Sequence, residues 1–134
     1  PGIVAMLDFL ESRGMPRAVA TSTRRPLALR KLEAAGLLPR FHAICTSSDV
    51  QHPKPAPDIF LLAATSLGVD PAHCLVLEDS PTGVRAALAA GMHPIQIPDL
   101  LVPDDSVRAL GHMILPSLDD ARGLLERRLA GELL

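Results

Sequence analysis

Apolar residues recur along the chain in two alternating patterns, one typical of helices and one typical of buried strands. Unbroken apolar runs too short for helices predict strands that are buried on both faces. Longer stretches with apolar residues at helical spacing, often opened by proline and closed by glycine, predict helices. One helix is predicted before the first strand, one after each of the first three strands, and a last one at 118–129. The predicted strands are 17–22, 42–47, 74–79, 94–97 and a short fifth at 112–115.

Strand and helix alternate with short connections, a pattern typical of right-handed crossovers in a parallel sheet. The sequence therefore predicts an α/β fold, a three-layer Rossmann-like arrangement with helices on both faces of a parallel sheet. Its 134 residues are enough for one domain, 1–134, with its own core. Because 48% of the residues are hydrophobic, and the chain has three phenylalanines but no tryptophan or tyrosine, that core must be aliphatic.

Charge and hydropathy exclude two classes of partner. The formal net charge is −2 and no run of lysine or arginine occurs, which argues against nucleic acid. No apolar run approaches the ~20 residues of a membrane span, so no membrane partner is predicted. Cys45 and Cys74 lie within apolar stretches, as buried thiols do, rather than in a disulfide framework. This cysteine usage favours the cytoplasm.

Polar residues suited to phosphate and metal chemistry follow three of the predicted strands. Open parallel sheets bind ligands at the carboxyl ends of their strands. There the sequence places hydroxyls at 21–23, Lys54 after the second strand, and the adjacent carboxylates Glu78 and Asp79 at the end of the third. Such a set suits phosphoryl transfer. Hydroxyl donors and a cation can bind phosphate and stabilise developing negative charge, and an acidic pair can bind Mg²⁺.

Each candidate also has a purely structural interpretation. Hydroxyls after a strand commonly form turns or caps, and a lysine between prolines is commonly a solvated loop residue. The acidic pair is harder to explain in this way, because adjacent carboxylates beside a buried run repel each other without a cation or donor. Asp79 could nevertheless cap the following helix. The five histidines lack metal-ligand spacing, and neither a glycine-rich nucleotide motif nor a Gly-x-Ser-x-Gly elbow occurs.

Three segments, taken in order, resemble motifs of the haloacid dehalogenase superfamily. They are AVATST at 18–23, KPAPDIF at 54–60 and LEDSPTGV at 77–84. The resemblance is closest to the branch of β-phosphoglucomutases and small sugar-phosphate phosphatases, and it covers essentially the whole chain. It implies a magnesium-dependent phosphatase that hydrolyses a small phosphorylated metabolite through an aspartyl-phosphate.

The resemblance also implies a role for each candidate residue. Thr21 is similar to the hydroxyl that binds the transferring phosphoryl group, and Lys54 to the lysine that neutralises the nucleophile and the phosphoryl oxygens. Glu78 and Asp79 resemble the carboxylates that position Mg²⁺. Other implied contacts with substrate or phosphate are Ser22, Thr23 and Arg24, and Ser80 is expected to support the metal loop.

The first motif of this superfamily, Asp-x-Asp-Gly-Thr, does not occur in the sequence. In the family this motif supplies the nucleophilic aspartate and the general acid/base, and in this branch the cap domain follows it. Asp8 lies in a helical run and is no substitute. We therefore expect the chain to be the C-terminal part of a longer enzyme, to lack the central first strand of its sheet and to be inactive alone.

Two alternatives to a phosphatase stay open at this point. A β-phosphoglucomutase-like phosphomutase shares every motif present and differs in its cap. A non-catalytic module that binds a partner or a phosphorylated ligand explains the missing nucleophile. Such a module, however, has no chemical need for hydroxyl, lysine and acidic pair together. A phosphorylated receiver domain fits poorly, because its acidic residues would precede the lysine. The sequence does not indicate an oligomeric state.

Overall fold

The computed structural model describes residues 2–98, 103 and 105–129. Strands and helices alternate along them, with three short 3₁₀ turns at Leu38–Arg40, Ser47–Asp49 and Pro71–His73. The helices are α1 (Ile3–Ser12), α2 (Arg25–Ala34), α3 (Asp58–Leu67), α4 (Pro81–Ala89), α5 (Asp105–Arg108) and α6 (Leu118–Leu129). The strands are β1 (Ala18–Ala20), β2 (Ala43–Cys45), β3 (Leu75–Glu78), β4 (His93–Gln96) and β5 (Met113–Ile114).

The strands pair in parallel and form two separate sheets. β1 pairs with β2, so that Ala18 lies opposite Ala43 and Ala20 opposite Cys45. The second sheet has the order β3-β4-β5, with Glu78 of β3 opposite Gln96 of β4. Within the described part of the chain, β1 and β3 each have a strand partner on one side only. The predicted α/β architecture of parallel strands and helices is confirmed.

Burial of the first strand differs from the prediction. All three residues of β1 are half-buried rather than buried on both faces. The prediction is wrong for β1 and in part for the next two strands, since Ala43 and Ile44 of β2 are half-buried and Leu75 of β3 is 41% exposed. Among the described residues, each of these three strands is paired on one side only, which is the physical reason. Helix α5 and the 3₁₀ turns were not predicted either, because three or four residues are too few to show a hydropathy period.

Local sequence explains the helix ends near the carboxyl edge of the strands. Ser80 caps α4, because its Oγ accepts a hydrogen bond from the backbone N–H of Gly83 at 3.1 Å, and Pro81 begins the helix. Gly68 ends α3 in the left-handed conformation, with φ at 68°. Ser117 precedes α6, and its Oγ accepts a 3.1 Å bond from the backbone N–H of Asp120 in the first turn of that helix.

One apolar core holds the two sheets in a fixed relation. It joins Cys45 of β2, Phe60 of α3, Val76 of β3 and Ala87 of α4, each less than one tenth exposed. Helix α3 lies against β1 and β2, α4 lies against β3 and β4, and the two helices touch. Removing these apolar groups from water is the main stabilising contribution here. The carboxyl ends of strands from both sheets are therefore held close together.

A separate contact joins α1 to α6. Met6 and Leu7 of α1 are each 1% exposed, and Ala121 of α6 is fully buried. Within the described residues, no helix has both the length and the apolar character needed to cross a membrane.

Candidate active site

An open cavity of about 440 Å³ lies at the carboxyl ends of β1 and β3. The parallel course of the strands brings the loops that follow them to this one edge. Arg24, a predicted substrate contact, is exposed and does not line the cavity. The other predicted site residues all do: the lining is Ala20, Thr21, Ser22, Thr23, Lys54, Glu78, Asp79 and Ser80.

Lys54 is buried where the two sheets meet. Its side chain is 8% exposed, and its Nζ donates to Glu78 Oε2 at 2.9 Å and to the carbonyl oxygen of Ala20 at 3.1 Å. Nζ also lies 4.9 Å from the centre of the Phe60 ring. The interpretation of Lys54 as a solvated loop residue is wrong. Its bonds to described residues use two of three ammonium donors, which leaves one for a ligand.

Glu78 is held beneath the first turn of α4 by the absence of a side chain at Gly83. Its own side chain is 11% exposed, and Ser80 Oγ lies 3.5 Å from Oε1. A Cβ atom at Gly83 would overlap the Glu78 carboxyl group. Gly83 therefore lets the carboxylate reach Lys54. Sequence reasoning gave Gly83 no role, although a glycine within a helix, which costs about 1 kcal/mol, is a signal of close approach.

Asp79 is the second carboxylate of the cavity, and it is exposed. Its interpretation as a helix cap is wrong, because Ser80 occupies the N-cap position of α4. In the part of the chain that the structure describes, Asp79 forms no ion pair. Its carboxylate oxygens are therefore available to a cation in the cavity.

The hydroxyl-bearing loop after β1 is folded as a turn. Thr21 Oγ1 accepts a bond from the backbone N–H of Thr23 at 3.1 Å, so the structural interpretation of this hydroxyl holds in part. The same hydroxyl keeps its own proton for donation, because a threonine oxygen both accepts and donates. Ser22 is exposed beside it. The turn therefore presents hydroxyl donors to the cavity without using up their hydrogen-bonding capacity.

The acidic residues match part of a Mg²⁺ coordination shell. Among residues 2–98, 103 and 105–129, no group of three or more histidine, cysteine, aspartate or glutamate side chains could hold a metal ion. Mg²⁺ commonly takes one or two carboxylates and completes its shell with water and substrate phosphate. Asp79, with Glu78 beside it, fits such a partial shell. Since Glu78 is bonded to Lys54, Asp79 is the better candidate for direct ligation.

Other titratable groups lie away from the cavity. Burial raises the pKa of the Cys45 thiol, which makes it a poor nucleophile, and both cysteines are free thiols. Burial lowers the pKa of His112, whose Nε2 lies 2.8 Å from Gln96 Oε1. None of the five histidines lines the cavity. The polar side chains that line this cavity are therefore carboxylates, a lysine and hydroxyls.

Comparisons with known proteins agree with these features. A family model described as haloacid dehalogenase-like hydrolase matches residues 1–91. Hexitol phosphatase A of Escherichia coli is 42% identical over 97 residues, a match that covers 72% of this chain and 44% of the relative. The chain likewise spans about half the length of two further phosphatase relatives, a probable pseudouridine-5'-phosphatase of Drosophila melanogaster and a putative phosphatase of Bacillus subtilis.

Solved structures of the same fold cover nearly the whole chain. A putative β-phosphoglucomutase from Thermotoga maritima matches with a TM-score of 0.86 and 30% identity, over 95% of this chain and 59% of its own. A hydrolase of the haloacid dehalogenase family from Deinococcus radiodurans, with bound phosphate and sodium, matches with a TM-score of 0.82 and 34% identity. That match covers 92% of this chain and 57% of the other.

Proposed function

This chain belongs to the haloacid dehalogenase-like hydrolase family, and we propose that it forms part of a magnesium-dependent phosphatase acting on a small phosphorylated metabolite such as a sugar phosphate. The cavity carries the proposal, because it gathers hydroxyls, a buried lysine and an available carboxylate from three loops. The similarity to a hexitol phosphatase supports a sugar-phosphate substrate. The phosphate bound in a related hydrolase of known structure supports the ligand chemistry.

In the proposed reaction, residues of this chain bind and orient the phosphoryl group. The hydroxyl group of Thr21 donates a hydrogen bond to a phosphoryl oxygen. Lys54, fixed between Ala20 and Glu78, places a positive charge where negative charge develops in the transition state. Asp79 would hold Mg²⁺ with Glu78 beside it, and the bound ion would neutralise phosphoryl oxygens. Preorganised charge of this kind lowers the barrier without any rearrangement during the reaction.

We propose that the nucleophile comes from a segment outside this sequence. The family resemblance assigns it to an aspartate of an Asp-x-Asp-Gly-Thr motif, which these 134 residues do not contain. That carboxylate would attack phosphorus while the bond from phosphorus to the sugar oxygen breaks, and the general acid/base of the same motif would protonate the departing oxygen. The same group would then take a proton from the water that hydrolyses the aspartyl-phosphate, which restores the aspartate and releases inorganic phosphate. β1 and β3 each have a strand partner on one side only among the described residues. Lys54 bonds to the last residue of each strand, so their ends lie close together. Both observations support an additional strand between them.

A phosphate-release assay tests the proposal. Sugar phosphates and hexitol phosphates are offered with Mg²⁺ to the 134-residue chain and, separately, to a polypeptide that joins it to the Asp-x-Asp-Gly-Thr segment of its own gene. We expect turnover from the longer polypeptide only, because charge stabilisation cannot replace a nucleophile. Turnover by the rigorously purified short chain would contradict the assigned nucleophile. An inactive but folded longer polypeptide would contradict the phosphatase.

A further inference from the structure

The loop at 21–24, here called the hydroxyl loop, is tied to the neighbouring 3₁₀ turn Ser47–Asp49 by an arginine. Arg25 follows the loop directly and begins α2. Its Nε donates to Asp49 Oδ1 at 3.1 Å and its Nη2 donates to Asp49 Oδ2 at 2.7 Å. The same Nη2 lies 2.7 Å from the carbonyl oxygen of Ile44 in β2. A guanidinium paired in this forked way with a carboxylate fixes direction as well as distance.

Asp49 is itself held by a buried residue. Its Oδ2 accepts bonds from the backbone N–H of Thr46 at 2.8 Å and from Thr46 Oγ1 at 2.9 Å. Thr46 is fully buried at the end of β2. Together with the Arg25 guanidinium, these donors lower the pKa of Asp49 to about 2. The carboxylate is therefore ionised across the neutral pH range, and each of its oxygens accepts a bond from Arg25.

Backbone bonds continue the connection into the hydroxyl loop. The N–H of Arg25 donates to Ser48 Oγ at 3.0 Å, and the N–H of Ser47 donates to the carbonyl oxygen of Thr23 at 3.3 Å. Thr23 in turn donates its N–H to Thr21 Oγ1. Neither Arg25 nor Asp49 lines the cavity, so any effect they have on a ligand must pass through this loop.

We propose that Arg25 and Asp49 are positioning residues, which hold the hydroxyl loop so that its donors face the phosphoryl group. The inference rests on the proposed function, because it assumes that phosphate binds in the cavity. Its physical basis is the shortness of the strand that carries the loop, because β1 is only three residues long. Donors that must be ordered when the ligand arrives bind it more weakly than donors fixed beforehand.

Titration of the isotopically labelled longer polypeptide of the phosphate-release assay with inorganic phosphate and Mg²⁺ tests this role, with the amide signals of Ser22 and Thr23 as the readout. We expect Asp49→Asn to weaken phosphate binding about tenfold, because the amide cannot accept both bonds of the guanidinium fork. Glu11→Gln is the matched control. It removes a carboxylate 2.8 Å from Nε of Arg40, far from the cavity, and should leave phosphate affinity unchanged.

A purely structural role for the pair predicts a different result. Both Asp49→Asn and Glu11→Gln would then lower the thermal midpoint, while both bound phosphate as tightly as the wild type. That outcome overturns the inference. If Asp49→Asn does not fold, Arg25→Lys replaces it, since lysine keeps the charge but loses the fork. Wild-type phosphate affinity in a folded Arg25→Lys chain would likewise overturn the inference.

The two proposals can fail separately. If the wild-type longer polypeptide binds no phosphate at Ser22 and Thr23, the phosphate site of the proposed function is wrong. The positioning role is then judged by amide hydrogen exchange. Faster exchange at Thr23 and Ser47 in Asp49→Asn, but not in Glu11→Gln, supports a loop held by the pair. Unchanged exchange at both amides overturns it.

Discussion

The two edges of the parallel strands carry comparable sets of charges and organise them differently. At the amino edge, Arg17 precedes β1 and Arg40 precedes β2, and both face the last turns of α1. Arg40 contacts Asp8 Oδ1 at 2.6 Å and Glu11 Oε1 at 2.8 Å. Arg17 contacts the same Glu11 oxygen at 3.4 Å. Each charge of this network has an opposite partner.

At the carboxyl edge, Arg25 and Asp49 form a partly exposed ion pair, but a second pair is buried and one carboxylate is uncompensated. Lys54 and Glu78 are 8% and 11% exposed, whereas the carboxylates of the amino edge, Asp8 and Glu11, are 65% and 41% exposed. Asp79 forms no ion pair with the described part of the chain. Exposed, compensated pairs contribute little to stability, whereas a buried pair is costly to desolvate and to break. Burial and incomplete compensation, rather than the number of charges, therefore distinguish the edge at which we propose the active site.

The largest effect should come from Asp79→Asn in the active phosphatase. The substitution nearly preserves the shape of the side chain but removes a hard anionic ligand. We therefore expect it to weaken Mg²⁺ binding and to reduce phosphoryl transfer more than the other substitutions proposed here for these 134 residues. Raising the Mg²⁺ concentration should restore part of the activity. Steady-state rates across a Mg²⁺ series are the measurement. An activity loss with unchanged metal affinity would contradict metal ligation by Asp79.

Lys54→Ala should follow, with kcat lowered by roughly 10²–10³-fold, the effect of losing one preorganised donor. Because the lost group is a cation and not a metal ligand, added Mg²⁺ should restore little. The same substitution leaves Glu78 buried without its partner, which should also lower the free energy of unfolding. Equal Mg²⁺ rescue of the lysine and aspartate variants would remove the distinction between their roles.

A smaller effect is expected from Gly83→Ala, which tests whether the carboxyl edge depends on the space beside Glu78. The new methyl group would overlap the glutamate and displace it from Lys54. We expect a destabilisation of about 1–3 kcal/mol, typical of overpacking, measured by chemical denaturation. Gly123→Ala in α6 is the matched control. Its methyl group would meet only Arg127 at 3.6 Å, so it should stabilise the helix by about 0.5–1 kcal/mol. Stabilisation by both substitutions would exclude the steric role.

The smallest effect at neutral pH should come from Glu11→Gln at the amino edge. The hydrogen bond from Arg40 lowers the pKa of Glu11 below its ordinary value of 4.5. The ionised group therefore stabilises the folded state above that value, and the contribution disappears as the pH falls through the lowered pKa. Thermal midpoints between pH 6 and pH 3 should show a smaller acid-induced decrease in Glu11→Gln than in the wild type. Identical acid profiles would mean that the amino-edge network adds no pH-dependent stability.

Much of this arrangement follows from the sequence. Alternating apolar runs and helical patterns predicted the strands and helices, because hydropathy periods are local. The convergence of Thr21, Lys54 and Asp79 followed from their positions after parallel strands, since such strands end at one edge of a sheet. Ser80 and Ser117 were predictable as caps from their own short segments. Arg24 was also named from sequence, yet it lies outside the cavity lining.

Only the tertiary structure decided how these groups are paired. Two bonded pairs, Lys54 with Glu78 and Arg25 with Asp49, are each 24 residues apart in the sequence. A local sequence pattern cannot predict a contact of about 3 Å between such distant segments. The space at Gly83 depends on the path of the Glu78 side chain, and the half-burial of β1 depends on which strands lie beside it. The chemical groups are therefore a property of the sequence, while their charge state, burial and partners arise from packing between distant segments.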